Sequence, residues 1–124
     1  MDPRKTPVRI GFLYSSTGVT SAVETNQRNA ALLAIEEINQ SGGLLGEELL
    51  FSGNDTSSNP AQFRAEAERL IVEDKVEALF GCYMSSCRKA VLPTISDHKT
   101  MLFYPTHYEG FEYANGCIYS GSAP

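Results

Sequence analysis

The chain has no tryptophan, only three cysteines, and ten lysines and arginines against fifteen aspartates and glutamates in 124 residues. Each shortage excludes a class of function. A formal net charge of -5 leaves no basic surface to neutralise phosphates, so direct nucleic-acid binding is not expected. An anionic membrane surface is disfavoured on the same ground. No apolar run approaches the roughly 20 residues needed to cross a bilayer. Cys82, Cys87 and Cys117 are odd in number and match neither a CxxC pair nor a zinc pattern, which predicts three reduced thiols and no metal site. Residues 1–7 are polar and lack the basic start, apolar stretch and cleavage site of a leader. They are expected to be disordered or tag-like, and the protein cytoplasmic, with a periplasmic location the alternative if a leader has been removed.

What remains is an ordinary globular composition, 42% hydrophobic, enough for one modest core. Val8 to Tyr14 reads as a strand covered on both faces. Ser21 to Gly42 reads as a helix, with Glu24 at capping-box spacing from Ser21 and an apolar stripe through Ala31, Ala34, Ile35 and Ile38. Glu48 to Gly53 is a second strand. Asn54 and Asp55 suit an Asx turn, and Asn59 before Pro60 is a helix start with a first-turn proline. Val76 to Cys82 is a third strand. Ser85 or Ser86 is expected to cap a third helix, kinked or ended early by Pro93. Thr100 to Tyr104 is a fourth strand and Cys117 to Ser120 a short fifth. The alternation predicts an α/β fold with a parallel sheet and helices on both faces, Rossmann-like or flavodoxin-like.

Ligands of open parallel sheets bind at the carboxyl ends of the strands, which singles out three loops. Gly81-Cys82-Tyr83-Met84-Ser85-Ser86 joins a strand to a helix N-terminus, where free N–H groups suit a carbonyl or carboxylate oxygen; the same serines read equally well as a cap. Tyr104-Pro105-Thr106-His107-Tyr108-Glu109 sets aromatics beside a few polar groups, as a small-molecule pocket does, and also as an anchored surface loop does. His107 and Glu109 have no nucleophile fixed beside them, so His107 is read as solvent-facing. Cys87, in a first helical turn, is read as a buried thiol before a reactive one. Ser15 to Thr20 is similar to the phosphate loop of flavodoxins, a remote FMN-binding alternative. A receiver domain is excluded, because Tyr14-Ser15-Ser16 and Gly81-Cys82-Tyr83 stand where its acidic pair and phosphorylated Asp are required.

Three segments belong together: AIEEINQSGGLLG (34–46), GCYMSSCRKAVLP (81–93) and LFYPTHYEGFEY (102–113). They resemble the amide- and urea-binding branch of the type I periplasmic binding proteins, across about residues 8–124. They look most like cytoplasmic amide sensors that negatively regulate amidase operons, with the substrate-binding proteins of urea and short-chain amide ABC transporters as relatives. The resemblance implies two α/β lobes closing on a ligand, no catalytic residues, no cofactor and no enzyme activity. It implies an RNA-binding antitermination partner for a regulator and a membrane permease for a transporter. Carried over by motif, Tyr83, Ser85, Tyr104, Pro105 and Thr106 are ligand contacts, with Met84, Ser86 and Tyr108 secondary. Ser85 donates to a ligand carbonyl, Thr106 or Tyr83 accepts from its N–H groups, and Tyr104 packs on its alkyl part. With no Arg, Lys or Asp among these contacts, a small neutral amide or urea is implied. His107 and Cys87 depart from the family pattern. The chain stops at Pro124, where the family runs on, so a partial first lobe over residues 8–124, a missing second lobe and an exposed face able to form a homodimer are expected.

Overall fold

The computed structural model describes residues 6–110 and 112–121. Most of the expected irregular N-terminus therefore lies outside the described residues; Thr6 and Pro7 are exposed and irregular. Five strands, β1 (Val8–Leu13), β2 (Leu49–Ser52), β3 (Ala78–Gly81), β4 (Leu102–Tyr104) and β5 (Cys117–Tyr119), alternate with three helices, α1 (Ser21–Gln40), α2 (Pro60–Val72) and α3 (Ser85–His98). They form one parallel sheet in the order β2-β1-β3-β4-β5. The α/β expectation holds, and the fifth strand is present as an edge strand. Its parallel crossover from β4 runs through residues 105–116, about the dozen residues such a connection requires.

Alternation along the strands divides the core in two. Leu13, Leu79, Leu102 and Tyr104 face α2 and α3, where Phe63, Leu70, Val91 and Ile95 complete a fully buried cluster. Each such leucine removed from water contributes about 2 kcal/mol. Ile10, Phe12 and Tyr14 face the other way, against Ile35 and Ala31 of α1. Among the described residues, α1 is the helix on that second face, packed over β1 and β2. Phe80 and Phe103 stack on the same face with centroids 4.8 Å apart, lining an open apolar cavity of about 630 Å³.

Local signals correct the sequence reading in three places. Asn59 caps α2 as expected, accepting from the Gln62 N–H at 3.2 Å. The capping box at Ser21 does not form: Thr20 is the N-cap residue, and Glu24, fully buried, instead accepts from the Ser15 N–H at 2.9 Å and from the Thr20 hydroxyl. Neither Ser85 nor Ser86 caps α3, whose N-cap is Met84 with no side-chain bond. Pro93 does not end that helix, which continues to Lys99, a left-handed C-cap. Pro93 is exposed, so its ring meets solvent rather than the packed face.

The turn from β3 into α3 sets the geometry of the strand ends. Gly81 has φ +142°, and a Cβ there would lie 2.3 Å from the Leu13 carbonyl oxygen. Only glycine lets β3 approach β1 so closely before turning away. Cys82 follows at φ +70°, a left-handed conformation that costs a non-glycine residue about 1 kcal/mol. Its N–H bonds the same Leu13 carbonyl at 2.9 Å.

Candidate ligand-binding site

At the carboxyl end of the sheet, the loops after β3 and β4 are sewn together. The Thr106 hydroxyl donates to the Cys82 carbonyl at 3.0 Å and accepts from the Gln27 amide of α1 at 3.1 Å. Its single proton is thus committed, and toward a ligand it offers only a lone pair. The Tyr104 hydroxyl donates to the Tyr83 carbonyl at 3.0 Å. Because Met84 supplies no side-chain cap, the N–H groups of Ser85 and Ser86 at the start of α3 have no acceptor among the described residues. The helix dipole adds positive potential there. Two complementary ends result: donors at Ser85 and Ser86, an acceptor at Thr106.

Of the expected contacts, Tyr83, Met84, Ser85, Thr106 and Tyr108 are half-buried, and Ser86 and Pro105 are exposed. Tyr104 differs. Its ring is fully covered by protein, between Arg88, 4.7 Å from its centroid, and Tyr119. It braces the wall from behind rather than presenting a face to an alkyl group. Tyr108 stacks on Tyr119 at 4.3 Å, and its hydroxyl donates to the Glu112 carbonyl at 3.0 Å. His107 is exposed as expected.

Arg88 was not among the expected contacts, yet it organises this end. It is 2% exposed and forms a bidentate pair with Glu112, at 3.0 Å and 3.1 Å. Its remaining Nη1 reaches Ser85 Oγ and Glu109 Oε1, each at 3.4 Å. The Ser85 hydroxyl donates to the other Glu109 oxygen. Burial works against the Arg88 cation, but the hydrogen bonds and charge of Glu112, with Tyr104, outweigh it and push its pKa up further. The Ser85 hydroxyl first, then Glu109's own backbone N–H and, more weakly, Arg88 hold the Glu109 carboxyl below its ordinary range against the effect of burial. The helix places Arg88 one turn beyond Ser85, a spacing visible in the sequence. Glu112 is 24 residues away along the chain, and no local pattern marks that pairing.

The loop after β1 is closed rather than open to a phosphate. The N–H groups of Ser16 and Thr17 donate to Asp55 at 2.7 Å and 3.2 Å, and the Thr17 hydroxyl donates to Asp55 at 2.6 Å. Ser57 N–H completes the Asx turn at 3.0 Å. Burial is the largest single influence on Asp55 and raises its pKa, but the Thr17 hydroxyl and the three backbone donors together outweigh it and hold the carboxyl well below its ordinary range. A fixed anion fills the place an FMN phosphate needs, so the flavodoxin alternative is withdrawn. Cys87 is buried as expected; Cys82 is buried as well and Cys117 partly so.

Residues 8–124 match the family described as the periplasmic binding protein domain. A Leu/Ile/Val-binding protein of Rhizobium johnstonii is 27% identical over 99 residues, covering 80% of this chain and 27% of that protein. A Leu/Ile/Val-binding protein homolog of Brucella abortus is 34% identical over 79 residues, covering 64% and 19%. The chain spans less than a third of these relatives' length. The branched-chain amino acid transporter substrate binding protein LivJ of Streptococcus pneumoniae, solved with isoleucine, superposes with TM-score 0.81 at 26% identity, over 85% of this chain and 30% of that one. An ABC-type branched-chain amino acid transporter protein of Rhodopseudomonas palustris reaches 0.83 at 18% identity, over 94% and 33%, a likeness of fold alone. These relatives carry branched-chain amino acids rather than amides in their names. They are solute binders, not enzymes, and strand ends offering a donor pair and an acceptor suit that class. The chain belongs to the periplasmic binding protein domain family.

Proposed function

We propose that this chain forms part of the first lobe of a substrate-binding protein of the ABC-transporter type, holding a small branched-chain-amino-acid-like ligand against Ser85, Tyr83, Pro105 and Thr106. The committed proton of Thr106 carries the reading. Thr106 accepts from a ligand N–H, while the N–H groups of Ser85 and Ser86, without an acceptor among the described residues, donate to a ligand oxygen, joined by the Ser85 hydroxyl once the ligand displaces Glu109. An α-amino acid has both groups. The names of the relatives supply the ligand class and a transporter context, from which a membrane permease follows as partner, and the family description points to a periplasmic location; none of them lends anything to a cytoplasmic regulator with an antitermination partner.

The second reading, a small neutral amide or urea, is favoured by one observation: the Glu109 carboxylate stands at the Ser85 hydroxyl, where an anionic ligand group meets like charge. Calorimetric titration with leucine, acetamide and urea separates the two. Saturable leucine binding supports the amino-acid reading. Acetamide or urea binding without leucine replaces it with the amide reading, and binding of none of the three rejects both.

A further inference from the structure

We infer that Glu109 is a specificity-determining residue, a charge filter that sets whether the ligand end at Ser85 is a carboxylate or a neutral carbonyl. The inference rests on the placement of the ligand between Ser85 and Thr106, but not on which ligand class is correct. Glu109 is 59% exposed, so folding does not require it to lie where it does. Its two oxygens nevertheless take the Ser85 hydroxyl and the spare Arg88 Nη1. Arg88 cannot offer a full positive charge to an incoming anion, because Glu112 already holds it through two bonds. Arg88 is one cation among two carboxylates, and the exposed Lys89 acts on Glu112 through charge alone, so the Glu109 charge beside Ser85 is not neutralised. A ligand carboxylate therefore has to displace Glu109 and then sit beside it. A ligand carbonyl has to displace it only, and loses no Coulomb energy afterwards.

The two side chains paired at the opposing end of the site bring no charge to offset this. Gln27 and Thr106 are neutral, and their hydrogen bonds turn a lone pair toward the ligand. Glu24 is buried beneath the β1 loop, occupied by Ser15 and Thr20. Glu109 is thus the exposed charge nearest Ser85 that a single substitution removes without opening the core. In the sequence Glu109 stands out only beside His107, as a possible acid–base pair, because its contact with Ser85 spans 24 positions.

The test uses two matched pairs of probes that differ only in carboxylate against carboxamide: leucine with leucinamide, and acetate with acetamide. Affinities are measured by calorimetry for the intact protein and for Glu109→Gln and Glu109→Ala. In both variants the carboxylate-to-carboxamide affinity ratio rises by about tenfold, the effect of one partly screened like charge; Glu109→Asp keeps the native ratio. Retained binding with an unchanged ratio overturns the filter and leaves the ligand placement standing. If neither pair binds the native protein or its variants, the ligand placement fails and the filter with it.

Discussion

Arg88 lies over the ring of Tyr104, its guanidinium carbon 4.7 Å from the centroid, and both side chains are almost wholly buried. A cation over an aromatic face is attractive and more so when water is excluded. Here it does structural work for the site. Tyr104 reaches up to the Tyr83 carbonyl, Arg88 reaches out to Glu112 and Ser85, and the two together lock the β4 loop to the first turn of α3.

Arg88 is consequently a sensitive position at the carboxyl end of the sheet. Arg88→Met leaves Glu112, 17% exposed, without its cation and is expected to cost about 3 kcal/mol or more. Arg88→Lys does not restore this, because an ammonium cannot form the bidentate pair. Adding Glu112→Leu to Arg88→Met recovers part of the loss. Urea denaturation midpoints check all three.

Thr106→Val and Thr106→Ser separate the hydroxyl from the methyl. Valine abolishes the bonds to Cys82 and Gln27 and the acceptor offered to the ligand, so stability falls by about 1 kcal/mol and ligand affinity by roughly tenfold. Serine preserves both. Equal affinities for valine and serine variants in a titration contradict the role given to this hydroxyl.

Stability should decline on the acid side through Glu112. Burial raises its pKa, but the Arg88 hydrogen bond, the Tyr119 hydroxyl and the Arg88 charge together hold it below the ordinary value of 4.5. A carboxyl depressed by folding adds stability that is complete above the unfolded value. That stability disappears as pH falls through the folded value. The melting temperature therefore drops once pH passes below 4.5, and Glu112→Gln, less stable at neutral pH, shows a shallower acid decline.

The thiols are expected to be inert in the folded chain. Burial pushes Cys82 well up and Cys87 to about 11, against which the Ser86 hydroxyl works only partly. Burial raises Cys117 as well. A shift of two pH units leaves on the order of a hundredfold less thiolate. A chromogenic disulfide reagent at pH 8 should titrate Cys117 slowly and the other two only after addition of urea. Rapid reaction of Cys87 in the native chain contradicts the packing described.

The alternating order of elements, the five strands and the first-turn proline of α2 were all legible in the chain itself, because each depends on neighbours within a few residues. Hydrophobic period sets helix or strand, and Asn59-Pro60 sets a start. The motifs around Ser85 and Thr106 likewise marked two of the strand-end loops. Tertiary structure alone decided the rest. Glu24 left its expected cap for the Ser15 and Thr20 loop. Asp55 crossed 39 residues to close the β1 loop that resembled a phosphate site. Tyr104 turned inward under Arg88, and Glu109 and Glu112 converged on one buried cation. Charge and hydrogen-bond partners are chosen by proximity after folding, and a one-dimensional pattern carries no record of which distant residues a parallel sheet brings to the same edge.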